Sequence, residues 1–204
     1  MHKEILDTNQ NLLLDLVKSF RREFYMVGGT AIALHIGHRR SIDFDLFKAT
    51  PFQAKKILNK IDKQGYNYLI TRNVTGQLNL IINNVKFTFF EYPFSIEANE
   101  DFDKKIKIPT LLDLAAMKAF ALGRRSKWKD YVDLYFIIKN HYSFNQISVR
   151  ASELFNQQFS GKLFRAQLSY FDDINYEEAV EYLIPSPPCE TEIKEFLIDT
   201  ATNF

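Results

Sequence analysis

The chain has one cysteine, Cys189, among 204 residues, so no internal disulfide can hold it together and its stability must come from packing. It has no apolar run near the ~18 residues that a membrane-crossing helix needs. Its opening residues, MHKEILDTNQ, lack the apolar stretch of a secretory signal, and a cytoplasmic location without a membrane is expected. Neither sign of charge prevails, with 26 Lys and Arg against 25 Asp and Glu, so net charge gives no hint of a nucleic-acid partner. Two common phosphate-binding signatures are missing: there is no Gly-x4-Gly-Lys-Ser/Thr and no Gly-x-Gly-x-x-Gly. His35 and His38 lie close together but have no third ligand at zinc-like spacing, and no internal repeat or low-complexity tract is visible.

With 46% hydrophobic residues, 19 of them Phe, the chain can bury a substantial core as one domain or two small ones. Its most informative stretch is residues 25–47, YMVGGTAIALHIGHRRSIDFDLF. An apolar run at 24–27 stops at Gly28 and Gly29, where the lack of a side chain permits tight turning and close approach of a phosphate. Thr30 is expected to cap a short buried helix that Gly37 ends, with its first-turn amides facing the phosphates.

Residues 42–47 then alternate, so Asp43 and Asp45 project from one face and Ile42, Phe44 and Leu46 from the other. Two carboxylates two apart on a strand form a clamp for a divalent ion. Hard oxygen donors suit magnesium, with manganese as its substitute, and two such ions about 3.5–4 Å apart can activate an attacking oxygen and stabilise a leaving one. A Gly-Gly turn alone is ordinary loop chemistry, and an Asp-x-Asp alone is often a solvated edge. Both within one strand-turn-helix-strand unit are far more specific, because an apolar strand has no structural need for two like charges.

A second block lies at 110–135. Thr110 and Asp113 have the spacing of a capping pair, so a helix should begin just after Pro109 and carry Lys118 among apolar neighbours, where its ammonium needs an anion. On the next helix Asp130 and Asp133, three apart, share a face. Between these helices, Arg124, Arg125, Lys127 and Lys129 with Trp128 fit either a phosphate-gripping, base-stacking loop or a solvated connector; Arg125 and Lys127 are also candidates for the nucleotide's own phosphates. Charge is unevenly spread: residues 104–129 hold eight Lys and Arg against Asp113, whereas residues 172–195 hold eight acids against Lys194.

Gly28-Gly29-Thr30 followed by His38-Arg39-Arg40-Ser41-Ile42-Asp43-Phe44-Asp45-Leu46-Phe47 resembles the first motif of the AbiEii/AbiGii-type toxins, a branch of the DNA polymerase beta-like nucleotidyltransferases. The later block agrees: Asp113 to Lys118, the basic loop and Lys129-Asp130-Tyr131-Val132-Asp133 are similar to that family's second motif. The resemblance runs in order from about residue 25 into the C-terminal region. It implies a metal-dependent nucleotidyltransferase in which Asp43 and Asp45 hold the metal and Gly28, Gly29, Thr30 and Lys118 hold the triphosphate, with Ser41 and Arg39 as further phosphate contacts. Asp130 completes the acids as ligand or base, and Asp133 is structural. The acceptor it implies is an RNA end such as the 3′ end of transfer RNA, and a separately encoded antitoxin is the implied partner. Rival outcomes are transfer to a small molecule such as an antibiotic, transfer to a protein, and a catalytically inactive nucleotide-binding module.

One departure stands out. The wider superfamily places a third carboxylate on a later strand, yet at 85–92 the matching position holds Thr88; Glu91, three residues on, falls on the opposite face unless a bulge intervenes, which ranks it below Asp130. The expected architecture is α+β: a nucleotidyltransferase-like mixed sheet flanked by helices in a core at 1–100, then a mainly helical region at 101–204. Helices are expected at 5–22, 51–65 and 190–200, and strands at 66–71, 77–82 and 85–92, the last two joined by an Asn83-Asn84 turn.

Overall fold

The computed structural model describes residues 1–122 and 124–203. The chain divides into two compact units, Met1–Thr110 and Leu111–Phe204.

The first unit opens with a 3-10 turn at Lys3–Ile5, then α1 (Thr8–Leu12) and α2 (Leu14–Ser19). One continuous helix over 5–22 does not form. Asp7 fixes the start at Thr8 through a capping box, its Oδ1 accepting from Gln10 N at 2.7 Å while Gln10 Oε1 accepts from Asp7 N at 3.1 Å. There follow β1 (Tyr25–Val27), α3 (Gly28–Ile36), β2 (Phe44–Lys48), α4 (Ala54–Asp62), β3 (Leu69–Val74), β4 (Gln77–Ile82), β5 (Val85–Glu91), β6 (Glu100–Phe102) and β7 (Ile106–Ile108). Among the described residues the seven strands make one mixed sheet in the order β3-β4-β5-β2-β1-β7-β6.

One sheet face carries the core. Phe44, Leu46, Leu78, Leu80, Phe87 and Phe89 have no exposed surface, and Phe20 and Phe24 meet Phe89 edge-on at 4.9 and 5.3 Å. Burying each such phenyl stabilises the unit by about 1.5–3 kcal/mol, so this cluster anchors the strand that bears Asp45. Asn83 and Asn84 both take positive φ, 49° and 63°, as a two-residue turn between β4 and β5 requires. The sheet continues past residue 100, where a mainly helical region was expected. β7 lies parallel to β1, and β6 turns back beside it through Asp103 and Lys104, both at positive φ.

The second unit is mainly helical: α5 (Leu111–Leu122), α6 (Trp128–Asn140), α7 (Phe144–Phe155), α8 (Gly161–Leu168) and α9 (Glu190–Thr202). Stacked rings pin it, Phe120 on Phe155 at 4.1 Å and Phe144 on Phe164 at 4.9 Å. Arg150 of α7 donates to Asp113 of α5 at 2.5 Å. Among the described residues no helix is long and apolar enough to cross a membrane.

Candidate active site

The antiparallel pairing of β1 with β2 sets Val27 opposite Asp45, so the acid arrives beside the residue where the chain turns into α3. Gly28 takes φ +76°, a left-handed conformation that glycine adopts without penalty. A Cβ placed there would lie 2.2 Å from Asp45 Oδ2. The carboxylate thus rests directly against the diglycine turn. At Gly29 a Cβ would come within 2.7 Å of Arg39 Nη2 and 3.1 Å of Ser41 Oγ, so the guanidinium and the hydroxyl crowd the next residue of the same turn.

Thr30 does not cap α3; the helix begins two residues earlier, and the Thr30 side chain is turned to the acid loop. Its hydroxyl donates to the carbonyl of Asp43 and is hydrogen-bonded to Ser41 Oγ at 2.9 Å. With one proton to give and a carbonyl that can only accept, Ser41 is the donor in the second bond. Thr30, Arg39 and Ser41 are all buried, at 1%, 2% and 8% exposure. Gln10 secures the loop from outside the motif, its Nε2 donating to the Ser41 carbonyl at 2.8 Å. The helix ends as expected, with Gly37 at φ +68° and its N–H bonded to the Ala33 carbonyl at 2.8 Å.

Asp43 stands one residue ahead of β2 and Asp45 within it, and both are half-buried. Ile42, expected to share the core face, is 48% exposed because the strand has not yet begun there. Asp45 pairs with Thr88 on β5, and the register runs unbroken from Phe87 to Glu91. No bulge redirects Glu91, which therefore stays on the face opposite Thr88. It packs at the strand's end against Gly76.

The Asp45 carboxylate, set beside the first amides of α3, is a donor of the type that an oxygen-seeking divalent ion takes. Among the described residues no group of three or more His, Cys, Asp or Glu side chains is gathered as a ready cage.

The second unit holds its own charged cluster. Lys118 Nζ, on α5, lies 2.7 Å from Asp130 Oδ1 and 3.0 Å from Asp133 Oδ2, with side-chain exposures of 5%, 3% and 0%. The three-residue spacing on α6 brings both acids to one ammonium. Arg125 closes the cluster from solvent, Nε donating to Asp130 Oδ2 at 3.0 Å. The remaining basic loop is also engaged. Lys127 and Lys129 both pair with Glu178, Ser126 donates to Asp173 at 3.0 Å, and Trp128 N donates to the Asn175 carbonyl at 3.0 Å. Burial alone would raise the Glu178 carboxyl, but the two ammoniums hold it below its usual range. Burial pushes Tyr131 on α6 up to about 12, so its phenol stays protonated and bonds the Gln167 and Tyr170 carbonyls.

Sequence reasoning missed Gln10, Asp173 and Glu178 as partners of motif residues. The Asp7/Gln10 spacing of a capping box was a readable local sign for the first, but nothing local marks the other two. His35 is accounted for structurally: Nε2 meets the Pro109 carbonyl at 3.0 Å and Nδ1 lies 3.7 Å from Glu100.

Known proteins resemble this chain in fold and, in one case, in sequence. The fold is that of a nucleotidyltransferase: the toxin MenT4 of Mycobacterium tuberculosis H37Rv matches with a TM-score of 0.59 over 96% of this chain and 82% of its own, at 13% identity. JHP933 from Helicobacter pylori gives 0.54 over 95% and 87%, also at 13% identity. At such identities the likeness is one of fold alone. In sequence, an uncharacterized protein of Aquifex aeolicus (strain VF5) is 33% identical over 181 residues, 85% of this chain and 84% of its own. The profile of the nucleotidyl transferase AbiEii toxin of type IV toxin–antitoxin systems matches residues 11–200. The chain belongs to that family of nucleotidyl transferase toxins.

Proposed function

We propose that this protein moves a nucleoside monophosphate from a nucleoside triphosphate onto an acceptor hydroxyl at an RNA end, such as the 3′ end of transfer RNA. The observation that carries the reading is the Asp45 carboxylate set against Gly28, where α3 begins. The amides of that helix turn, with the Arg39 guanidinium beside Gly29, are assigned to the phosphates, and Ser41 joins them by turning its hydroxyl from Thr30. In the reaction the acceptor oxygen bonds to the α-phosphorus, the bond from that phosphorus to the β-bridging oxygen breaks, pyrophosphate leaves, and the hydroxyl proton passes to a carboxylate. Asp43 and Asp45 would hold Mg2+ or Mn2+, which supplies Lewis-acid neutralisation of phosphate charge when bound. The protein's own contribution is fixed charge and orientation, most of what phosphoryl transfer requires.

For the second unit, Lys118 is assigned to the triphosphate, Asp130 to the acid role and Asp133 to holding Lys118; Arg125 and Lys127 remain assigned to nucleotide phosphates. These are separate proposals carried by the family motif. A cognate antitoxin follows from membership of a toxin–antitoxin family.

Incubation with each labelled triphosphate and Mg2+, alongside transfer RNA, cell lysate and aminoglycosides, tests the reading. Label is expected on RNA. Label on a small molecule or a protein instead would move the assignment to that acceptor, and bound triphosphate with no transfer anywhere would make the chain a binding module.

A further inference from the structure

Residues 63–90 contain Lys63, Arg72 and Lys86 but no Asp or Glu, in a chain whose charges otherwise nearly balance. This segment builds β3, β4 and all of β5 but its last residue, Glu91, which lies on the face opposite Thr88. Every residue of β3, the outermost strand, is exposed. Arg72 stands in register with Asn79, Asn79 with Thr88, and Thr88 with Asp45. Residues directly opposite one another point to the same face, so these four form one row across four strands, ending at the acid.

Arg72 enters that row through a bulge. Ile70 faces Leu80 and Arg72 faces Asn79, which leaves Thr71 as the extra residue; without it Thr71 would take the place of the arginine. Lys86, also exposed, is two residues before Thr88 and shares its face. It stands one residue ahead of Phe87, the partner of Phe44, just as Asp43 stands one residue ahead of Phe44 on the parallel strand. One cation therefore lies beside the acids and another at the far end of the row. At strand spacings of about 4.8 Å, the Arg72 backbone is about 14 Å from that of Asp45.

We infer that this open face of β3–β5 is a docking surface for the RNA acceptor, with Arg72 and Lys86 on phosphates just inside the reacting end and Asn79 between them. Charge complementarity selects the occupant: the face offers cations, an amide and a hydroxyl, without a carboxylate to repel a polyanion. Continuity with Asp45 says why a strand bound there would matter for transfer. The loop at 124–129, the more obvious basic candidate, already has Asp173 and Glu178 upon it. This inference rests on the proposal that the acceptor is RNA.

The test compares wild type with Arg72→Glu, Lys86→Glu and their double variant, each checked for unchanged melting temperature and unchanged binding of a fluorescent triphosphate analogue. Anisotropy with 5′-labelled single-stranded RNA and with transfer RNA should show the double variant weakened about tenfold or more, its log–log salt slope reduced by about 2, and the Arg72→Lys/Lys86→Arg variant restored. Equal RNA affinity in wild type and double variant, or no RNA binding by wild type, would overturn the surface. If RNA takes label equally with both proteins, the surface fails while the RNA acceptor stands. If RNA binds through these residues but label goes to another acceptor, the acceptor reading fails while the surface stands.

Discussion

Gly28 and Asp45 are mutually exclusive of anything larger: Oδ2 of the aspartate occupies the space that a Cβ at residue 28 would need, at 2.2 Å. The glycine therefore serves two ends, a left-handed turn and a seat for the carboxylate. Gly65 provides the control, with φ +75° and open space around it.

Gly65→Ala should lose only the left-handed strain, roughly 1–2 kcal/mol. Gly28→Ala should lose more and should also abolish transfer, because the carboxylate must move. Melting curves and labelled-triphosphate transfer on both variants decide this; an active Gly28→Ala enzyme would contradict the seating.

Asp43→Asn and Asp45→Asn each keep the size of the side chain and remove the charge. Transfer should fall by several orders of magnitude, while the far-UV spectrum and melting temperature stay near wild type. Activity within about tenfold of wild type in either would remove that residue from the proposed metal-holding pair.

Lys118→Met leaves Asp130 and Asp133 buried without the ammonium they share. Breaking such a cluster by one member should destabilise by about 3–5 kcal/mol, and Lys118→Met combined with Asp133→Asn should regain part of that loss. Chemical denaturation measures both. Strictly additive losses in the double variant would show that Lys118 and Asp133 are not coupled.

Glu178 has a folded pKa below its ordinary 4.5, so its pairing stabilises above that value and is lost as pH falls through the lower folded value. Being about half exposed, it contributes little, within the 0–1 kcal/mol of surface pairs. The difference in melting temperature between wild type and Glu178→Gln should be small at pH 7 and shrink as pH falls below the ordinary value of 4.5 and on through the lowered folded value. A difference that does not shrink on acidification would assign the effect to packing.

The legible parts were those fixed by neighbours in the chain. Gly28 and Gly29, Gly37 ending the helix, and Asn83-Asn84 turning the hairpin each follow from backbone demands read over a few residues. Thr30 looked like a cap because local chemistry offers that role, yet Ser41 and Asp43 claimed its hydroxyl through the fold. β6 and β7 escaped notice because three residues are too few to show a period. Glu178 on Lys127 and Asp173 on Ser126 join positions 51 and 47 residues apart, a separation that no local pattern encodes. Gln10 lies between these cases, its cap being local and its grip on Ser41 not.

The strand of Asp45 has its neighbours drawn from opposite directions in time. β1 is synthesised before it, but β5, its other flank, ends at Glu91, and β7, which covers the far side of β1, ends at Ile108. A nascent chain that has just been extended past Asp45 therefore lacks two of the strands that hold β2 in the sheet, and the acid gains its full setting only after more than twice that length has been made.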